Sequence, residues 1–189
     1  MRARDFREIV NVKMQGKGLV AALGYFIFMA IFSAISAASM GIGTLILTGS
    51  LTLGFVLFII EISEGKSPQI TTLFDGFKNF VNAMLLYIIQ SIYLALWTML
   101  LIIPGIVKSF SYAMTFYILK ENPEMSPNAA ITQSRQIMDG HKWRLFCLQF
   151  SYIGWILLSM LTFGILLFWV VPKIELAKYE FYLDLKEQK

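Results

Sequence analysis

Residues 19–60 read LVAALGYFIFMAIFSAISAAS-MGI-GTLILTGSLTLGFVLFII, and this stretch decides the solvent in which the chain folds. A helix needs about 20 mostly apolar residues to cross a bilayer core of about 30 Å. Runs 19–39 and 43–60 both reach that range, and neither carries a charged residue. Only Met40, Gly41 and Ile42 separate them, so the pair predicts a tight transmembrane hairpin. Working outward, residues 82–103 form a third run, which Pro104-Gly105 is expected to break. Residues 106–119 follow as a shorter fourth, and 145–161 as a fifth. Thr162-Phe163-Gly164 opens a sixth, from 165 towards 185. The expectation is an all-α membrane protein with six transmembrane helices, forming one transmembrane domain over residues 1–189.

Composition agrees. The chain is 57% hydrophobic and 15% charged, with mean hydropathy +0.66. A water-soluble domain is nearer half apolar and a quarter charged. A formal charge of +4 would raise nucleic acid as a partner of a soluble protein. Here the cations cluster between apolar runs, where they act as topology signals and meet anionic lipid headgroups. Nucleic acid is therefore not expected. Cys147 and His141 are each alone of their kind, which leaves no internal disulfide and no zinc ligand set. No Ser-His-Asp, Cys-His, His-x-x-x-His or Walker pattern is present, so neither an enzyme nor a cofactor is expected.

Lys and Arg set the orientation. They gather in the N-terminal segment (Arg2, Arg4, Arg7, Lys13, Lys17), the second connection (Lys66, Lys78), the fourth (Lys120, Arg135, Lys142, Arg144) and the C-terminal stretch (Lys173, Lys178, Lys186, Lys189). Six spans put all of these on one side, expected to be cytoplasmic together with both termini. Ser36-Ala37-Ala38 resembles a signal-peptide cleavage site. The apolar run is longer than a signal core and a second run follows at once, so retention as a span is expected.

A repeat is also legible. Ser67-Pro68 recurs as Ser126-Pro127, and Asp75-Gly76-Phe77-Lys78 as Asp139-Gly140-His141-Lys142. Each precedes an apolar hairpin, and the opening hairpin reads as a degenerate third copy. The units are approximately 1–64, 65–122 and 123–189, each a cytoplasmic amphipathic helix followed by two spans. Ser126 is a suitable N-cap with Pro127 at the first helical position and Gly140 a helix stop; Ser67-Pro68 and Gly76 read the same way. Phe6, Ile9, Val10 and Met14 share a face near the N-terminus, as an interfacial helix requires.

Residues 104–114, PGIVKSFSYAM, and 126–143, SPNAAITQSRQIMDGHKW, carry a resemblance. Together they resemble the bacterial integral-membrane family called domain-of-unknown-function family 975, common in Gram-positive bacteria. A wider similarity is to the membrane domain attached to some glycerophosphodiester phosphodiesterases, whose catalytic domain this chain lacks. The resemblance implies a multi-span protein of a bacterial plasma membrane, and it implies no activity.

Some ionisable residues stand where they are costly. Lys108 lies just inside the fourth run, where it either snorkels to the interface or lines a cavity and attracts a phosphate or carboxylate. After Pro172 come Lys173, Glu175, Lys178 and Glu180. The apolar run before Lys173 is roughly half the ~30 Å core, so either these charges are buried in protein or the membrane thins. Burial is favoured, with Lys108 and Glu175 as partners. Lys108, Tyr112, Lys173, Glu175 and Lys178 form the candidate intramembrane polar site; Arg135, Lys142 and Arg144 are candidate lipid-headgroup contacts. Gln90, Gln149 and other polar residues within spans are expected to bond between helices. Ala30, Ala34 and Ala38 give the first span a small-residue seam. The functional expectation is a transport-type or lipid- or peptide-handling membrane protein with a small amphipathic or lipid ligand. The alternative is a non-transporting scaffold or accessory subunit bound to another membrane protein.

Overall fold

A computed structural model describes residues 2–38 and 42–187 of the chain, with the side chains of residues 38 and 42 left aside. Among the described residues every regular element is helical. Helix α1 (Ala3–Lys13) buries Phe6 and Val10, spaced i, i+4, so a single stripe faces the protein. The Asp5 carboxylate accepts the Arg2 backbone N–H at 2.7 Å, satisfying one donor of the first turn. The chain then turns at Gly16, whose φ of +74° suits glycine.

Helices α2 (Gly18–Ala38) and α3 (Ile42–Ser63) are the first two apolar runs. Most of the predicted connection at 40–42 falls outside the described residues. The side chain of Ala38, at the end of the alanine seam, is left aside; Ala30 and Ala34 are exposed, and α2 packs within the chain through Ala21, Ala22 and Gly24. Helix α3 is the most buried of the apolar stretches. A Cβ on its Gly54 would stand 1.9 Å from the Leu73 carbonyl oxygen, so the following segment lies directly on the α3 backbone.

That segment departs from expectation. Ser67-Pro68 caps no helix; a single turn, α4 (Thr72–Asp75), and a 3-10 turn (Gly76–Asn79) are all that form. Gly76 is not a left-handed stop: its φ is −59°, and a Cβ there would meet the Ser50 carbonyl oxygen at 2.1 Å. Its missing side chain serves a close approach rather than a turn. The irregular stretch is held by Glu61, which accepts from the Gln69 backbone N–H (3.1 Å) and the Thr72 hydroxyl (2.9 Å).

Helix α5 (Phe80–Leu100) ends at Leu101, which is extended (φ −160°, ψ 137°). Helix α6 (Ile102–Ser111) therefore starts before Pro104, not after it. Pro104 falls in the first turn, where its missing N–H has no helical acceptor to disappoint. The fourth run does not continue as one helix. It turns through Tyr112–Met114 and resumes as the short α7 (Thr115–Glu121). Helix α8 (Pro127–Ile137) begins as the sequence predicts: the Ser126 hydroxyl accepts the Ala129 N–H at 3.4 Å, and Gly140 has φ +75°. Helices α9 (Lys142–Phe150) and α10 (Ile153–Leu161) divide the fifth run at Ser151-Tyr152. Helix α11 (Leu167–Glu187) is continuous through Pro172.

Five helical stretches among the described residues are long and apolar enough to cross a membrane: Gly18–Ala37, Gly43–Ser63, Thr72–Leu100, Ile102–Glu121 and Lys142–Leu161. They point to a membrane location. Helix α11 is not among them, because its charges lower its hydropathy. Those charges belong to protein contacts. Glu180 receives Lys13 at 2.6 Å and also the Ser63 hydroxyl. Asp184 receives Arg144 at 2.6 Å. Glu121 receives Lys186 and the Tyr182 hydroxyl, both at 2.9 Å. Apolar Leu176, Ala177 and Phe181 are buried between them. Helix α11 is thus a post to which distant parts of the chain are tied.

Candidate functional site

The break in the fourth run has a structural cost that α8 meets. Turning at 112–114 frees buried backbone groups, each expensive without a partner. Ser134, fully buried on α8, donates its hydroxyl to the Ser111 carbonyl at 2.8 Å and accepts the Met114 N–H at 3.3 Å. The Thr115 hydroxyl donates to the Tyr112 carbonyl. Irregular backbone within an apolar stretch is tolerated where it is buried in protein or lines a cavity. Here it does both.

A cavity of about 480 Å³ lies against the break, walled by α2, α3, α5, α6, α7, α9 and α11. Its size is in the range of small-molecule sites. Phe28, Phe55, Phe110 and Phe116 form much of the apolar wall. Gln90, Tyr112, Tyr117, Gln149, Glu175 and Lys178 supply polar groups. Glu175 and Lys178 pair at 2.7 Å, with side chains about three-quarters buried, so the wall carries both signs and little net charge. The Tyr117 hydroxyl stands 3.4 Å from Glu175 Oε2. Among the described residues the buried Gln90 side-chain oxygen has no hydrogen-bond partner, so it can accept from a donor. The arrangement suits a molecule that is apolar over most of its length and offers a few polar groups.

The expected site residues divide among three cavities. Tyr112, Glu175 and Lys178 share the one just described. Lys108 does not reach Glu175, whose cation is Lys178. Lys108 lies on another face of α6, its ammonium 4.6 Å from the centre of the Trp97 ring, and lines a cavity of about 350 Å³ with Arg135 and Lys142. Lys173 lines a small cavity of about 80 Å³ with Arg7 and Tyr152, and its ammonium is 3.5 Å from Asn11. Arg144 gives its guanidinium to the buried carboxylate of Asp184, which is 8% exposed. Sequence reasoning passed over Gln90 as one more interhelical bond and gave Ser134 no role. The unpaired oxygen of the first and the double bonding of the second depend on partners that one-dimensional spacing does not reveal. Outside the spans, the Lys66 ammonium holds the Glu64 carboxyl below the usual carboxylate range.

No curated protein matches the chain, and no solved structure does. The expected likeness to the phosphodiesterase membrane domain is not shown by these comparisons. A family model described as "Protein of unknown function (DUF975)" matches residues 99–189, just under half the chain, and this segment, which contains both motifs, is similar to that family.

Proposed function

We propose that this chain is a non-enzymatic membrane protein of transport or lipid- or peptide-handling type, which holds a small amphipathic or lipid ligand in the cavity beside the broken fourth run. The observation that carries the reading is that cavity: about 480 Å³, walled by aromatic rings, with a Glu175–Lys178 pair and a buried Gln90 oxygen that has no hydrogen-bond partner among the described residues. Discontinuous helices at membrane depth are a recurring way to expose polar groups to a ligand. The reading includes six crossings as three hairpins, with both termini cytoplasmic in the plasma membrane of a bacterium, as the family resemblance and the placement of Lys and Arg favour.

Native mass spectrometry of the full chain released from mild detergent tests it. The expected result is a stoichiometric small molecule or lipid that is lost in Gln90→Leu and Glu175→Gln variants with parental thermal stability. A ligand-free parent across several detergents, or a ligand indifferent to both substitutions, overturns it. The exposed Ala30 and Ala34 favour the second reading, a scaffold or accessory subunit packed against another membrane protein through α2. That reading expects an empty cavity and loss of a stoichiometric partner on Ala30→Leu or Ala34→Leu.

A further inference from the structure

The cavity at Lys108 is separate from the central one and has a different chemistry. Lys108 from α6, Arg135 from α8 and Lys142 from α9 converge on it with a single carboxylate, Asp139. Asp139 is 85% exposed and 4.0 Å from Lys142, so most of its charge is spent on water. Among the described residues no carboxylate lies within 4.0 Å of Lys108 or Arg135. Lys108 is also the sole charged residue between Lys78 and Lys120, on a helix whose neighbouring Ile106 and Val107 are exposed. An ammonium in such a stretch is costly, and two further cations on the same cavity add repulsion. The Trp97 ring offsets this only in part. A phosphate offsets it further, because its oxygens accept from a forked guanidinium and from ammonium groups alike.

A second feature gives the phosphate a source. An apolar groove of about 220 Å³ adjoins this cavity, lined by Ile106, Val107, Phe110, Trp143 and Phe146, and sharing Lys142 with it. Trp143 is 72% exposed, as a ring at headgroup level is. We infer that the two together bind one anionic phospholipid, its phosphate on Lys108, Arg135 and Lys142 and an acyl chain in the groove between α6 and α9. The cavity at Lys108 shares no lining residue with the central cavity, and the groove shares only Phe110 with it.

The test is native mass spectrometry of the full chain in mild detergent with phosphatidylglycerol or phosphatidylcholine added. The expected result is one phosphatidylglycerol retained per chain in preference to phosphatidylcholine. Lys108→Gln and Arg135→Gln should each weaken retention about tenfold, the loss of one charge-assisted bond. Lys108→Arg and Arg135→Lys should restore most of it. Lys120→Gln, a cation elsewhere, should leave it unchanged. Equal retention of the two lipids overturns the site, as does an equal loss on Lys120→Gln. Glycerol 3-phosphate or inorganic phosphate competing as well as the lipid overturns the acyl-chain assignment. A melting profile equal to the parent's is required of each variant, and the charge-conserving pair keeps the test decisive where a glutamine variant fails to fold.

Discussion

At the scale of single residues, the glycines of α3 separate space from mere flexibility. Gly54 is in regular helix, where alanine would be the better helix former by up to about 1 kcal/mol. Its surroundings reverse that preference, because a Cβ would stand 1.9 Å from the Leu73 carbonyl oxygen and 2.7 Å from its carbon. Backbone cannot step aside as a side-chain tip can. Gly54→Ala should therefore destabilise by about 1–3 kcal/mol, the usual cost of overpacking, or more. Gly154 in α10 has nothing within 4 Å of its Cβ position. Gly154→Ala should be neutral or stabilising by up to about 1 kcal/mol. Thermal denaturation of the two variants in one detergent checks the contrast; equal midpoints would refute the close approach of the 72–79 segment to α3.

At the scale of elements, the architecture depends on where helices stop. The apolar runs are legible because hydropathy is local, and each run does contain helix. The stops are less so. Pro104 looks like a breaker, yet a proline in the first turn costs little, so the break moved back to Leu101. The interruption at 112–114 has no proline or glycine to announce it; it is held from outside, by Ser134 on α8. The two Asp-Gly-x-Lys motifs look alike but differ in backbone, Gly140 with φ +75° and Gly76 with φ −59°, because only the second is pressed onto another helix. If Ser134 holds the break, Ser134→Ala leaves the Ser111 carbonyl and the Met114 N–H buried without that partner, at about 1–3 kcal/mol. Hydrogen exchange should then quicken across 108–118 and α8 together, with the α2–α3 segment unchanged. Exchange that rises uniformly, or not at all, would deny Ser134 this role.

At the scale of the whole molecule, contacts between helix ends bear on the proposed number of crossings. Lys17, before α2, donates to the carbonyl of Lys66, after α3, at 2.8 Å. Asn79 and Asn82, at the start of α5, both donate to the Pro123 carbonyl, after α7, at 3.1 and 2.8 Å. Arg144, near the start of α9, pairs with Asp184, near the end of α11. Each outgoing helix is thus met at its own starting level by the returning one. Lys13 and Glu180 join the first of these levels to the last. A chain whose beginning and end share a level crosses an even number of times, so the proposed six-crossing reading has α11 return through the membrane despite its charges. Its 21 residues span about 31 Å as a helix, enough for the core. The sequence showed the tension between those charges and that length. The six-crossing reading resolves it through pairs separated by 167, 65 and 40 positions, which hydropathy and spacing do not connect. The prediction is made in a Cys147→Ser background with single cysteines and a membrane-impermeant maleimide. Phe163→Cys, at the 99% exposed turn between α10 and α11, should label in intact cells. Arg4→Cys and Glu187→Cys should label only once the membrane is opened. If Arg4→Cys and Glu187→Cys label from opposite sides, the number of crossings is odd, and α11 lies along the membrane surface instead of passing through it.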